Sequence, residues 1–154
     1  MSNDIDSRLK ELGLSLPQAP APAANYVPYV ECGKLLFVSG QISHGPDGLI
    51  KGRLGADLDV AEGAAAAQSC ALSLIAQARA ACGGDLDRVK RVVKLTGFVN
   101  STPDFTDQPE VINSASDLMV AVFGDAGRHS RSAVSAASLP RGVAVEIEAI
   151  FELN

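Results

Sequence analysis

Apolar positions recur along this chain with two distinct periods, and the switches between them predict its elements. Ile5, Leu9 and Leu12 stand at helical spacing over residues 4 to 12, with Gly13 as the stop. Pro17, Pro20 and Pro22, set among alanines, then predict a stiff extended connector, because each removes a backbone donor. Tyr26 to Cys32 reads as an edge strand, since Pro28 is tolerated only there, and Gly33-Lys34 as a two-residue turn into the apolar run Leu35 to Val38. Beyond Ser39-Gly40-Gln41, the turn signal Gly45-Pro46-Asp47-Gly48 leads to a short strand near Leu49 to Lys51.

The helical period returns from Val60 to Cys82, where Ala64, Ala67, Ala71, Leu74, Ile75 and Ala78 make one face. Asp59 and Glu62 have the spacing of a capping pair, and Gly83-Gly84 ends the run. Val89 to Asn100 reads as a buried strand, and Asp107 and Glu110 repeat the capping spacing before a second helix, with Pro109 in its first turn, that stops at Gly124. Two final strand-like runs flank Leu139-Pro140-Arg141-Gly142 and predict a terminal hairpin. The order α, β, β, short β, α, β, α, β, β predicts an α+β sandwich. Its sheet is mostly antiparallel and mixed, with two main helices on one face and a short N-terminal helix besides. Residues 1–24 form that helix and the connector, and residues 25–154 a single domain. The second sheet face has no cover in the sequence, and oligomerisation is the simplest way to hide it.

Composition then narrows the partners. With 154 residues, 47% hydrophobic and 20% charged, the chain suits one ordinary globular domain. A net charge of -5 does not supply the clustered cations that neutralise phosphates, so nucleic acid is not an expected partner. No apolar run approaches the roughly 20 residues that span a bilayer, so no membrane is expected either. The acidic N-terminus lacks the basic start of a signal peptide. Cys32, Cys70 and Cys82 form no paired motif, which predicts reduced thiols in the cytoplasm rather than a disulfide framework or a metal site. Cys70 and Cys82 belong on the helix's core side, and Cys32, at a strand end, is expected to be structural. His44 and His129 read as isolated loop histidines, and no glycine-rich segment has the phosphate-loop pattern.

Chemistry concentrates near the C-terminus. Val143, Val145, Ile147, Ala149 and Phe151 alternate with Ala144, Glu146, Glu148, Ile150 and Glu152, so Glu146 and Glu148 share the face opposite the apolar set. Arg131, on the other run, is suited to hold a planar carboxylate by two charge-assisted bonds. If the turn centres on residues 140–142, Arg131 lies opposite Ile150 or Glu152, roughly 13 Å from the level of Glu146. The two groups then do not meet within one chain, though they could meet across a subunit interface.

Ser39-Gly40-Gln41 after an apolar strand, Gly97-Phe98-Val99, Asn113, Arg131-Ser132, Leu139-Pro140 and Val145-Glu146-Ile147-Glu148-Ala149 together resemble the YjgF/Rid family, the reactive-intermediate imine deaminases. The likeness covers about Tyr26 to Phe151, and the extension before it, with the differing loop from Gly124 to Ser130, resembles a longer, divergent subgroup. It implies a chorismate-mutase-like fold, a homotrimer with clefts between subunits, no cofactor and a small carboxylate-bearing substrate. It also implies that Arg131 binds the carboxylate of a 2-imino acid, that Glu146 positions the attacking water, and that Tyr26, Ser39, Gly40 and Asn113 lie in or near the pocket. The cysteine common in the family two residues after the arginine is Ala133 here, which leaves only backbone groups at that place. The expected reaction is hydrolytic deamination of small 2-imino or enamine acids to 2-oxo acids and ammonia. The alternatives are a trimer of the same fold that binds or senses small carboxylates without turnover, and an endoribonuclease, which the acidic balance disfavours.

Overall fold

The computed structural model describes residues 4–22 and 24–154; residues 1–3 and 23 of the expected N-terminal segment lie outside the described residues. In chain order the elements are α1 (Asp4–Glu11), β1 (Tyr29–Cys32), β2 (Leu35–Ile42), β3 (His44–Gly45), β4 (Gly48–Leu49), α2 (Val60–Ala81), β5 (Val89–Asn100), α3 (Gln108–Phe123), β6 (Ser130–Ala136) and β7 (Val145–Leu153). The main sheet has the order β1-β2-β7-β5-β6, antiparallel except for the β5–β6 pair. The helices α2 and α3 pack together on one of its faces, which is the mixed α+β arrangement that the periodicity predicts.

Local chemistry explains most boundaries. The Asp59 carboxylate accepts from the Glu62 N–H (2.8 Å) and the Glu62 carboxylate from the Asp59 N–H (3.1 Å), so the capping box of α2 is closed. At α3 it is not: Asp107 makes no side-chain cap bond, because its backbone (φ -95, ψ 29) is turned away from the extended conformation that aims a cap inward. Gly33, at φ 61, makes the predicted β1–β2 turn. The first turn of α1 is capped from afar, with the Asp87 carboxylate accepting from the Asp4 and Ile5 N–H groups, while Leu9 enters the core.

The expected terminal hairpin does not exist. β6 runs parallel to β5 on one side, and β7 runs antiparallel to β5 on the other. The segment 137–144 is too long for a tight hairpin and carries the chain past the end of β5. The helix α3 requires this arrangement, since a strand-helix-strand unit returns its second strand parallel to the first. Arg131 therefore sits beside Leu95, not opposite Ile150 or Glu152.

The core lies between the sheet and the helices. Val145, Ile147, Ala149, Phe151 and Leu153 bury the inner face of β7 against α2, and Phe151 meets Phe123 edge-on at 6.3 Å between ring centres. Gly97 lets α3 approach β5, since a methyl group there would meet Ile112 at 2.6 Å. Cys70 and Cys82 are buried, as expected, and burial pushes the Cys70 thiol far above its ordinary range. Cys32, expected to be structural, is exposed. On the opposite sheet face, Val30 pairs with Phe37 and Phe37 with Ile150, and Val30 (52%) and Phe37 (41%) are open to solvent. That apolar face has no cover among the described residues. None of the described helices is long and apolar enough to cross a membrane.

Candidate functional site

The first half of the site is built by a bulge in β2. Pairing with β7 passes from Val38 opposite Ala149 to Gln41 opposite Ile147, so Ser39 and Gly40 together face Glu148. The kink is fastened on both sides: the Ser39 hydroxyl donates to the Val27 carbonyl (2.8 Å), the Ser39 N–H to the Pro28 carbonyl (2.9 Å), and Gln41 Nε2 to the Ser39 carbonyl (2.8 Å). Glu146, between Ile42 and Phe98 in the sheet, lays its carboxylate over Gly40 so closely that a Cβ there would overlap Oε2. Only glycine fits.

Glu146 is half-buried and has no hydrogen-bond or ion-pair partner among the described residues. Burial, with a smaller push from Glu148 on the same face, holds its carboxyl above the ordinary carboxylate range. It lines a cleft of about 550 Å³ together with Tyr26, Ser39, Gly40, His44 and Arg141. Arg141 stands in the left-handed region (φ 60), the one non-glycine residue with positive φ among those described. The structure thus gathers the expected Tyr26, Ser39, Gly40 and Glu146 at one place. It adds His44, which the sequence presents only as a loop residue, and Arg141.

The second half lies across the sheet. Arg131 projects to the helix side of β6, where its Nη1 donates to Asn113 Oδ1 (2.8 Å) and Ser116 Oγ (3.3 Å), groups one turn apart on α3. Ser116 Oγ is also 2.9 Å from His129 Nε2, and His129 Nδ1 is 2.6 Å from the Gly127 carbonyl. A carbonyl only accepts, so Nδ1 carries a hydrogen and Nε2 of the neutral ring accepts from Ser116. His129 is therefore not isolated: it orients the hydroxyl that steadies Arg131. The Nε and Nη2 edge of the guanidinium has no partner among the described residues. Ala133 follows on the same side and packs against the core. Because the Ala136 carbonyl accepts from the Ser101 N–H, alternate residues Arg131, Ala133 and Ser135 turn their backbone groups to the open edge of β6.

The two halves diverge within one chain. Leu95 pairs with Arg131 and Ala149, and Phe98 with Glu146, so the two residues are two strands and three positions apart, about 14 Å between their backbones. Their side chains also leave opposite faces of the sheet. What the structure brings together is therefore two incomplete sites: a carboxylate in a cleft, and a guanidinium with an open edge. Among the described residues no group of three or more His, Cys, Asp or Glu side chains is placed to hold a metal ion.

A sequence model of the family described as "YjgF/chorismate mutase-like, putative endoribonuclease" matches residues 6–151. The chain is 55% identical to Protein TCP17 of Trypanosoma cruzi, over 99% of this chain and 96% of that one. It is similar to the crystal structure of Atu1372 from Agrobacterium tumefaciens, a protein of unknown function, at 48% identity and TM-score 0.91, covering 99% of this chain and 94% of that one. It is also similar to the Escherichia coli TdcF structure with bound serine, at 26% identity and TM-score 0.63, covering 89% and 94% of the two chains.

Proposed function

The chain belongs to the YjgF/chorismate-mutase-like family, also called YjgF/Rid, and from that premise we propose that it hydrolyses small 2-imino or enamine acids to 2-oxo acids and ammonia, in clefts between the subunits of a homotrimer. The observation that carries this reading is Glu146: a half-buried carboxylate without a partner among the described residues, its carboxyl held above the ordinary range by burial, in a cleft large enough for an organic acid. A partnerless carboxylate made more basic by burial is suited to accept a proton from water.

A protonated imine carbon is already electrophilic, so orientation and one proton-transfer group suffice and the chemistry asks for no cofactor. The substrate carboxylate lies on the open Nε/Nη2 edge of Arg131, whose Nη1 is held by Asn113 and Ser116. Glu146 of the neighbouring subunit takes a proton from a water as its oxygen bonds to the imine carbon. The proton returns to the nitrogen of the resulting carbinolamine, the C–N bond breaks as the hydroxyl proton passes to Glu146 and the carbonyl forms, and ammonia takes that proton and leaves as ammonium. Atoms balance with one water consumed. The serine bound to TdcF is an α-amino acid, whose carboxylate is the group that Arg131 suits.

The test is hydrolysis of imines made in situ from amino acids by an oxidase. Turnover that survives unchanged in both Arg131→Ala and Glu146→Ala would sink the site. Ala133 favours one second reading, a trimer that senses small carboxylates without turning them over. Calorimetric binding of 2-oxo acids with no imine hydrolysis would decide for it. The endoribonuclease activity in the family's description fits this chain less well, given its net charge of -5.

A further inference from the structure

The Pro-rich connector, which the deaminase chemistry does not use, forms a wall of the Glu146 cleft. Gln18 and Pro20 to Pro22 line it together with the Ser39–Gly40 bulge. The wall is fastened from beneath by Gln77, a buried side chain on α2 whose Nε2 donates to the Pro20 carbonyl (2.7 Å) and to Gln41 Oε1 (3.4 Å). Gln41 in turn donates to the Ser39 carbonyl. A primary amide has the two hydrogens that this double bond requires, and no aliphatic or acidic side chain does. At its other end the connector is anchored by α1, through Leu9 in the core and the Asp87 cap. Prolines at 17, 20 and 22 keep the span between these anchors stiff.

Beyond the Gln18 amide the wall is chemically plain. Pro20, Ala21 and Pro22 offer no side-chain donor or acceptor, and Ile42 and Leu49 line the same cleft. A volume of about 550 Å³ is far more than a three-carbon acid fills, and falls in the range of sites that enclose larger ligands. Resting on the deaminase reading above, we infer that the connector makes this cleft selective for 2-imino acids with a branched or aromatic apolar side chain. Gln77 is the positioning residue that holds the selecting wall in place.

The experiment compares imines generated from alanine, leucine and glutamate by an amino-acid oxidase, using the full chain, Gln77→Leu and Ala21→Phe. Ala21 is exposed, so Ala21→Phe fills the cleft with the fold intact even where Gln77→Leu lowers stability. The expected result is a leucine-over-alanine preference in kcat/KM of about tenfold or more, the discrimination that extra methylenes gain in an apolar pocket. Both variants should move that ratio toward one, mainly by raising KM for the leucine-derived imine. A parent ratio near one, a preference for the glutamate-derived imine through Arg141 at the rim, or an unchanged ratio in Ala21→Phe would overturn the inference. Calorimetric titration with pyruvate, 4-methyl-2-oxopentanoate and 2-oxoglutarate reads the same preference without turnover. Selective binding without hydrolysis would count against the deaminase reading alone, whereas hydrolysis without selectivity would count against the wall alone.

Discussion

In the proposed reaction Glu146 and Arg131 divide the chemistry between a group that moves protons and a group that holds charge, and their variants should fail differently. Glu146→Gln should lower kcat by about 10²–10⁴-fold, the usual worth of a positioned acid-base group. Arg131→Ala should raise KM by about 10- to 100-fold, corresponding to a loss of roughly 1.5–3 kcal/mol of charge-assisted hydrogen bonding. Steady-state kinetics on an in-situ imine separates the two. Stability should move the opposite way. The carboxyl of Glu146 is raised in the folded chain, so its contribution to stability is full below the unfolded value and is lost as pH rises through the folded one. Glu146→Gln removes the cost of holding a half-buried charge, and its melting temperature at neutral pH should exceed the parent's. The gap should close below roughly pH 4, where glutamate is neutral in both states; an equal gap at all pH values would contradict this cause. At this scale the sequence was readable where alternation put Glu146 and Glu148 on one face. It was silent about Ser116, His129, Gln77 and the Pro20 carbonyl, because those partners lie 13 and 57 residues apart and meet only when helices dock on the sheet.

Among the elements, the two capping signals make a matched pair of tests. They look alike in sequence, but only Asp59 closes its box. Asp59→Ala should cost about 1 kcal/mol, seen as a loss of a few degrees in melting temperature, and Asp107→Ala should cost almost nothing. Equal losses would mean that the α3 cap forms in solution. The bulge at Ser39–Gly40 offers a sharper case: Gly40→Ala pushes a methyl group into the Glu146 carboxylate, and should lose activity nearly as Glu146→Gln does while far-UV circular dichroism stays unchanged. Boundaries of α2, β5 and β7 were legible because periodicity, caps and breakers agree there. The terminal hairpin was misread because two strand-like runs around a Pro/Gly turn carry no record of which neighbour each will choose. That choice follows from α3, which returns β6 parallel to β5 on one edge and leaves the other edge of β5 to β7.

For the whole molecule, the bare face and the divided site point to the same remedy. Val30, Phe37 and Val134 expose apolar side chains, and a neighbour that covers them can also carry an Arg131 edge toward a Glu146 cleft. Sedimentation of the parent chain should give a trimer, and Phe37→Asp should shift it toward monomer with loss of activity. The separation of about 14 Å and the opposite faces make the proposed reaction more demanding: if both groups serve one substrate, each active site borrows from two chains. Co-expression of Arg131→Ala and Glu146→Gln chains, assayed at substrate well below the parental KM where each alone is strongly impaired, tests this most directly. Random assembly from equal amounts of the two chains should recover about a quarter of parental activity, because one interface in four across the whole population pairs an intact arginine with an intact glutamate across a heterologous contact. Folded mixed trimers that recover none would contradict the shared site.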